Sequence, residues 1–472
     1  MEKLSLNTKL AYWVGQLAEG LKSTAFAVFL LFYYNQVLGV SGTLCGIAIF
    51  VGMFIDAVTD PLMGSISDGW RSKYGRRHPF MYVSALPLGL CFFMLFNPMV
   101  DSEIGLFVWL LVFAALTRFA MTLYHVPHIA LGAEMTSDYN ERNEIAAFRL
   151  VFNSVGALTV YSLGFLVFFA SSEAYENGQL NPDAYPPFTA ILGIGMCLAV
   201  LITSFGTRHL VPHLPKPRES QQLNPAQIFI DMKLAAKNRS FRWLLGGFAV
   251  ISIPVGVGAA LQLYLNTFFW EVSPEGISAI LIAGVIATFI GFSTSPWVMR
   301  KIEKKQALFI GSIGWATFYT GPVILHYAGL FPAPGSAMVV YALMFSHFLA
   351  GAVVSQLVVA VYSMLADVAD EQELVVDKRQ EGVFFGVYSF IIKATAGLGA
   401  ATGGIVLDLI EWPTGESVKT AADIPSETLF QLAMIAGPGL AVGFVPAILL
   451  WRNYQLSKNR HKQILSEIAA RA

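Results

Sequence analysis

Two aspartates one helical turn apart, Asp56 and Asp60, stand just before Pro61 in a run that is apolar from Leu44 to Ile55. Residues at i and i+4 share one face of a helix, which puts the two carboxylates side by side. Like charges that close repel unless a proton or a cation comes between them. The pair therefore suits coordination of Na+ by hard oxygen ligands, with the hydroxyl of Thr59 or Thr122 as a neutral partner, or the binding of one proton. A structural ion pair with Lys22 or Arg149 is the alternative.

Further polar residues interrupt other apolar runs. Arg118, Thr122, His125 and His128 follow one another at steps of four, three and three, which places them on a single helical stripe facing something polar. Glu19 and Lys22, at i and i+3, can neutralise one another or touch a solute. Arg149 stands near the start of its run, where it could snorkel, and Lys393 is too deep in its own run to do so easily. A charge at mid-membrane costs about 2.5–3.5 kcal/mol, so these six residues, Glu19, Lys22, Arg118, His125, Arg149 and Lys393, are candidates for a solute site. With the two aspartates neutralised by a cation, the set is left positive. That favours a solute bearing a carboxylate, sulfonate or phosphate. His125 and His128 with Glu134 offer a metal-site reading, set aside because Glu134 reads as a charge at a helix end.

The elements that must hold these groups follow from composition. Of 472 residues, 55% are hydrophobic and 13% charged, with a mean hydropathy of +0.60. Soluble proteins carry about 25% charged residues, so a water-soluble enzyme is excluded. Apolar runs fall at 10–38, 43–66, 79–99, 104–132, 145–170, 187–206, 241–269, 275–299, 306–327, 335–365, 381–410 and 430–454, each long enough to cross a bilayer at about 20 residues per span. Twelve membrane helices are expected. With the N-terminus inside, 25 of the 30 Lys and Arg residues lie on the cytoplasmic side, Lys419 alone lies opposite, and Lys22, Arg118, Arg149 and Lys393 lie within runs. That asymmetry follows the positive-inside rule and puts both termini in the cytoplasm.

The expected organisation is an all-α membrane protein with an N-terminal six-helix bundle (1–206), a proline-bearing cytoplasmic linker (207–240), a C-terminal six-helix bundle (241–454) and a tail (455–472). A cavity between two such bundles is the default transport path. A net charge of −1 gives no argument for nucleic acid, and the single cysteines Cys45, Cys91 and Cys197 read as small buried hydrophobes. No cleaved signal is evident. Gly-x-Ser-x-Gly and P-loop patterns are absent, and no extramembrane domain is left over to serve a receptor, so a carrier is the expected class. Its partners are a small solute and the lipid bilayer. No cofactor is expected beyond the coupling ion, Na+ or H+, and a monomer is the expected state.

Basic loops punctuate the plan. Gly64-x-x-x-Asp68 leads through Arg71 to Gly75-Arg76-Arg77, a helix end followed by a tight cationic loop that can pair with Asp68 and with helix termini. Asp138-Tyr-Asn-Glu141-Arg142 precedes Arg149, and Ala366-Asp367-Val-Ala-Asp370 leads through Lys378-Arg379-Gln-Glu381-Gly382 to Lys393. Asp68, Arg71, Gly75, Arg76, Arg77, Arg142, Asp367 and Asp370 are the candidates for a cytoplasmic latch, with topogenic charge the simpler alternative.

Gly64-x-x-x-Asp68 with Gly75-Arg76-Arg77 resembles the loop motif of the major facilitator superfamily. Extended by Asp56-x-x-x-Asp60-Pro61 and by the two further segments, the chain resembles the glycoside-pentoside-hexuronide:cation symporters, the family of the melibiose permease. The resemblance spans both halves. It implies a twelve-helix fold, alternating access, a bacterial inner-membrane location and coupled movement of a cation with a sugar-like solute. It also implies cation ligation by Asp56, Asp60 and Thr122, and a role for Arg149 and Lys393 at the sugar and gating region. Thr59 stands where the melibiose permease has Asn. Where that permease has its two sugar-binding aspartates this chain has Gly20 and His125, and Ile129 replaces its stacking Trp. A galactoside held by two acids and a ring is therefore not expected; the expected solute is a glycoside bound in another way or an anionic sugar such as a hexuronide or sulfo-sugar, with lysolipids or other amphiphiles as the alternative cargo.

Overall fold

The computed structural model describes residues 4–214, 237–376, 381–415 and 418–470; the Lys378-Arg379-Gln part of the third motif and most of the expected linker lie outside them. The described residues contain helices and no strand. Among the described residues, eleven helices are long and apolar enough to cross a membrane. The run expected at 10–38 is helical but not one long α-helix: α1 (Leu6–Val14) ends at Gly15, α2 (Gln16–Ala25) follows, and π-helical turns occupy Phe26–Leu30 and Tyr33–Val37.

The chain divides into two compact units. The first comprises Met1–Gln222 with two short pieces, Ser273–Ser278 and Ala401–Ile424. It contains α1, α2, α3 (Gly42–Gly69), α4 (His78–Leu95), α5 (Glu103–Glu134), α6 (Tyr139–Leu163) and α7 (Tyr185–Gly206). Ser41, Ser102 and Asp138 cap α3, α5 and α6 by accepting backbone N–H bonds from Leu44, Gly105 and Glu141, which satisfies donors that a helix start would otherwise leave bare. Helix α5 packs against both α3 and α4, and α2 packs against α6. A core of rings, Phe29, Phe165, Phe169, Tyr185 and Phe188, closes one end of this unit.

The α2–α6 crossing depends on glycine. A Cβ built on Gly20 would meet the backbone of Asn153 and Gly156, so the two backbones touch as small residues allow in membrane helices. This brings α2, with Glu19 and Lys22, onto α6 just past its middle. It also explains why position 20 carries no acid: a side chain there would part the helices.

The second unit comprises Leu223–Val272, Ala279–Ala400 and Pro425–Ala472. Its elements are α8 (Arg239–Tyr264), most of α9 (Pro274–Lys301), α10 (Lys304–Tyr327), α11 (Ala337–Val376), the first part of α12 (Glu381–Leu409), α13 (Ser426–Met434), α14 (Leu440–Arg452) and a tail helix α15 (Lys458–Ala469). Helix α10 packs along α11, and α8 along α14. Phe241, Phe248, Phe384 and Trp451 form its buried core, and Trp451 Nε1 donates to the Leu244 carbonyl at 3.0 Å.

Candidate functional site

Asp56 and Asp60 lie one turn apart on α3, ahead of Pro61, which is accommodated inside the helix. Proline has no N–H to give to the carbonyl four residues back, here that of Ala57, beside the pair. Helix α5 supplies the facing groups. Thr122 Oγ1 is 3.1 Å from Asp56 Oδ1 and 2.8 Å from Asp60 Oδ1, and Thr59 Oγ1 is 3.4 Å from Thr122 Oγ1. A hydroxyl carries one proton, so Thr122 serves one carboxylate as donor while its lone pairs remain available. Asp56 and Thr122 are buried, Asp60 and Thr59 half-buried. The result is a cluster of carboxylate and hydroxyl oxygens, the ligand type that hard cations take.

Arg118 lies one turn before Thr122 on α5, and its Nη1 is 3.5 Å from Asp56 Oδ2. Spacing along α5 placed it on the right stripe, but only the register of α5 against α3 shows that it faces the aspartates. Around the same cluster Lys22 Nζ pairs with Glu19 Oε1 at 3.0 Å. Ser23 Oγ donates to the same carboxylate. Glu19, Lys22, Asp60 and Arg149 are electrostatic neighbours of His125. Glu19 Oε2 and His125 Nδ1 are buried without a hydrogen-bond partner among the described residues. Buried polar atoms in native structures are nearly always paired, so these two mark a place where a ligand or water can bond.

His128 goes elsewhere. Its Nε2 contacts the Tyr12 carbonyl at 2.9 Å and its ring stacks on Tyr12 at 4.3 Å. Among the described residues no three His, Cys, Asp or Glu side chains form a metal-binding group. Lys393 is half-buried on α12 in the second unit.

The loop after α3 is held by ion pairs to the ends of α3 and α5. Arg77 is buried, and donates to Ser67 Oγ at 2.6 Å, to Asp68 and to Glu134 Oε1 at 2.7 Å. Arg76 reaches the same Glu134 oxygen at 2.8 Å. Gly75, at φ +82°, makes the turn that delivers both arginines. Arg71 is exposed. Arg142 Nε donates to the Thr136 carbonyl at 2.8 Å, closing the end of α5, and Lys9 pairs with Glu141 and Glu144 at 3.0 and 2.8 Å. In the second unit Lys304 pairs with Asp367 at 2.6 Å, while His461 of α15 contacts Asp370 at 2.9 Å and Asp367 at 3.4 Å. Glu134, Lys304 and His461 were not singled out as latch residues, because each is an ordinary helix-end charge until its partner is known.

Among solved structures the fold is similar to the nucleoside transporter NupG, with a TM-score of 0.64 at 14% identity over 93% of this chain and 99% of that one. It is also similar to the xylose transporter XylE of Escherichia coli, with a TM-score of 0.60 at 13% identity over 96% and 98%. The inner membrane symporter YicJ of Escherichia coli is 23% identical over 99% of this chain and 96% of its own. The sodium-dependent lysophosphatidylcholine symporter 1 of Gallus gallus is 24% identical over 98% and 89%. Residues 11–458 match the sequence profile described as MFS/sugar transport protein, and the chain therefore belongs to that family of multi-pass membrane transporters and is not an enzyme.

Proposed function

We propose that the protein is a cation-coupled symporter of the bacterial inner membrane, with twelve spans, both termini in the cytoplasm and alternating access. The broken helical run at 6–38 is the twelfth span. The coupling ion, Na+ or H+, binds at Asp56, Asp60 and Thr122, with Thr59 adjoining. The observation that carries this reading is the Thr122 hydroxyl held between two carboxylates from a neighbouring helix. No other cofactor is required.

The solute is sugar-like and anionic. Glu19 Oε2 accepts a solute hydroxyl, and His125, Lys22 and Arg149 face it. Formal charges in the first-half cluster balance, with Glu19, Asp56 and Asp60 against Lys22, Arg118 and Arg149. A bound monovalent cation leaves one positive charge, and an anionic solute neutralises it. The two ligands therefore raise each other's affinity, as linkage requires.

Similarity at 24% identity to a lysophosphatidylcholine symporter supports a second cargo, a zwitterionic lysolipid. A thermal-shift screen of purified protein against uronates, sulfo-sugars, neutral glycosides and lysophosphatidylcholine, with and without Na+ at several pH values, separates the two. Stabilisation by an anionic sugar that grows with Na+ supports the first reading. A response to lysolipid alone replaces it with the second.

A further inference from the structure

We infer that the second unit carries a headgroup site for an anionic phospholipid, in the cavity where the tail helix α15 meets the ends of α9, α10 and α14.

The cavity measures about 500 Å3, and all its lining residues belong to the second unit. Five Lys and Arg side chains line it against two acids, Glu303 and Asp367, so the formal charge of the lining is +3 with His461 neutral. The fold uses only part of that charge. Lys305 Nζ donates to the carbonyls of Arg452 and Tyr454, both at 2.8 Å, closing the end of α14. Asp367 is answered by Lys304 and by His461. Arg452, Lys458 and Lys462 are exposed, and among the described residues their side chains form no ion pair or hydrogen bond. These three are the cations left for a ligand.

Two further features select a phosphate. Tyr454, which also lines the cavity, is 2% exposed, and its hydroxyl has no hydrogen-bond partner among the described residues. A buried hydroxyl left bare is costly and rare, and an acceptor oxygen in the cavity satisfies it. Helices α10 and α15 both begin at the cavity, with Lys304 and Lys458 on its wall. A helix N-terminus favours an anion through its bare N–H groups and its dipole.

Depth selects a lipid as the source. Helix α9 ends at Lys301, α10 starts at Lys304 and α14 ends at Arg452, so the cavity lies where three spans leave the membrane. Trp297, 60% exposed, carries Lys301 over its ring at 3.9 Å, and tryptophan is enriched at headgroup level. Met299, Ile302 and Leu456 add apolar lining, and Ile290 of α9 with Ile310 and Ile313 of α10 exposes apolar surface farther from the helix ends. A phosphodiester there meets the cations while its acyl chains stay in the bilayer, and basic pockets between membrane helices take anionic headgroups in this way. A free phosphate matches the charge but not the apolar lining. The bound headgroup links Arg452 of α14 to Lys458 and Lys462 of α15, and so holds the tail helix to the spans.

The test is native mass spectrometry of the purified, delipidated full chain with phosphatidylglycerol, with phosphatidylethanolamine and with inorganic pyrophosphate. The wild type is expected to retain phosphatidylglycerol in preference to phosphatidylethanolamine. A variant combining Arg452→Gln, Lys458→Gln and Lys462→Gln is expected to bind it at least about tenfold more weakly, equal to about 1.4 kcal/mol. A control combining Lys73→Gln, Arg208→Gln and Arg242→Gln removes as much charge outside the cavity and stays close to wild type. Equal losses in the two triple variants reduce the effect to net charge and overturn the inference, as does unchanged binding in the cavity variant. Pyrophosphate binding by a wild type that shows no preference for phosphatidylglycerol assigns the cavity to a free phosphate and also overturns it. Should the cavity variant not be recovered, Tyr454→Phe decides, since it removes the hydroxyl and keeps ring and charge. Phosphatidylglycerol binding about fivefold weaker, as for one lost hydrogen bond, supports the inference; unchanged binding overturns it.

Discussion

Thr122 Oγ1 on α5 lies 2.8 Å from Asp60 Oδ1 on α3, and this contact ties the helix that carries the acidic pair to the helix that carries Arg118 and His125. Replacing Thr122 by Val keeps the shape and removes the oxygen. A net hydrogen bond of about 1 kcal/mol predicts a fall in apparent cation affinity of about five- to tenfold, with the fold retained. The cation concentration giving half-maximal uptake measures it.

Asp408, near the end of α12, caps the start of α3. Its carboxylate accepts from Ser41 Oγ at 2.6 Å and from the N–H groups of Gly42 and Thr43, both at 2.8 Å. These are donors that a helix N-terminus otherwise leaves bare, and a carboxylate there also meets the positive end of the helix dipole. Asp408→Ala is expected to cost about 1–2 kcal/mol, read as a lowered thermal midpoint, with Asp408→Asn intermediate. Equal midpoints for Ala and wild type would mean that α3 does not depend on this cap.

Arg76 and Arg77 reach one Glu134 oxygen, but only Arg77 also holds Ser67 and Asp68. Arg77→Ala is predicted to destabilise by about 2–3 kcal/mol, the range for stranding buried hydrogen-bonded charge, and Arg76→Ala by less, because Glu134 keeps its bond to Arg77 when Arg76 is removed. Thermal melts of the two single variants in the same detergent decide the order. The reverse order would make Arg76 the main anchor of this loop.

Gly20→Asp is expected to destabilise the protein rather than create a second acid for sugar binding, because a side chain at that position meets the α6 backbone. Loss of monodisperse protein in size-exclusion chromatography is the predicted result. A folded variant that gains neutral-galactoside uptake would show that the crossing can open.

Much of the site was legible in the sequence because it depends on spacing along one helix. The i, i+4 step of Asp56 and Asp60, and the stripe through Arg118, Thr122 and His125, follow from helical periodicity alone. The pairing of Arg118 with Asp56 did not, since register between helices leaves no periodic trace, and Arg118 was therefore read with the solute residues. Glu134 and Asp408 were passed over for the same reason. The expected first span differs in kind: Gly15 and the π turns at Phe26–Leu30 and Tyr33–Val37 interrupt the α-helix while the chain stays helical, a change of hydrogen-bond register that hydropathy does not record.

The central claim is that Asp56 and Asp60 hold the ion whose gradient drives solute uptake. Its most direct test is concentrative uptake into proteoliposomes under an imposed Na+ or H+ gradient, comparing the wild type with Asp56→Asn and Asp60→Asn at equal reconstituted amounts. The account predicts gradient-driven accumulation in the wild type and, in both variants, loss of accumulation with folded protein retained. Full accumulation by both variants would contradict it.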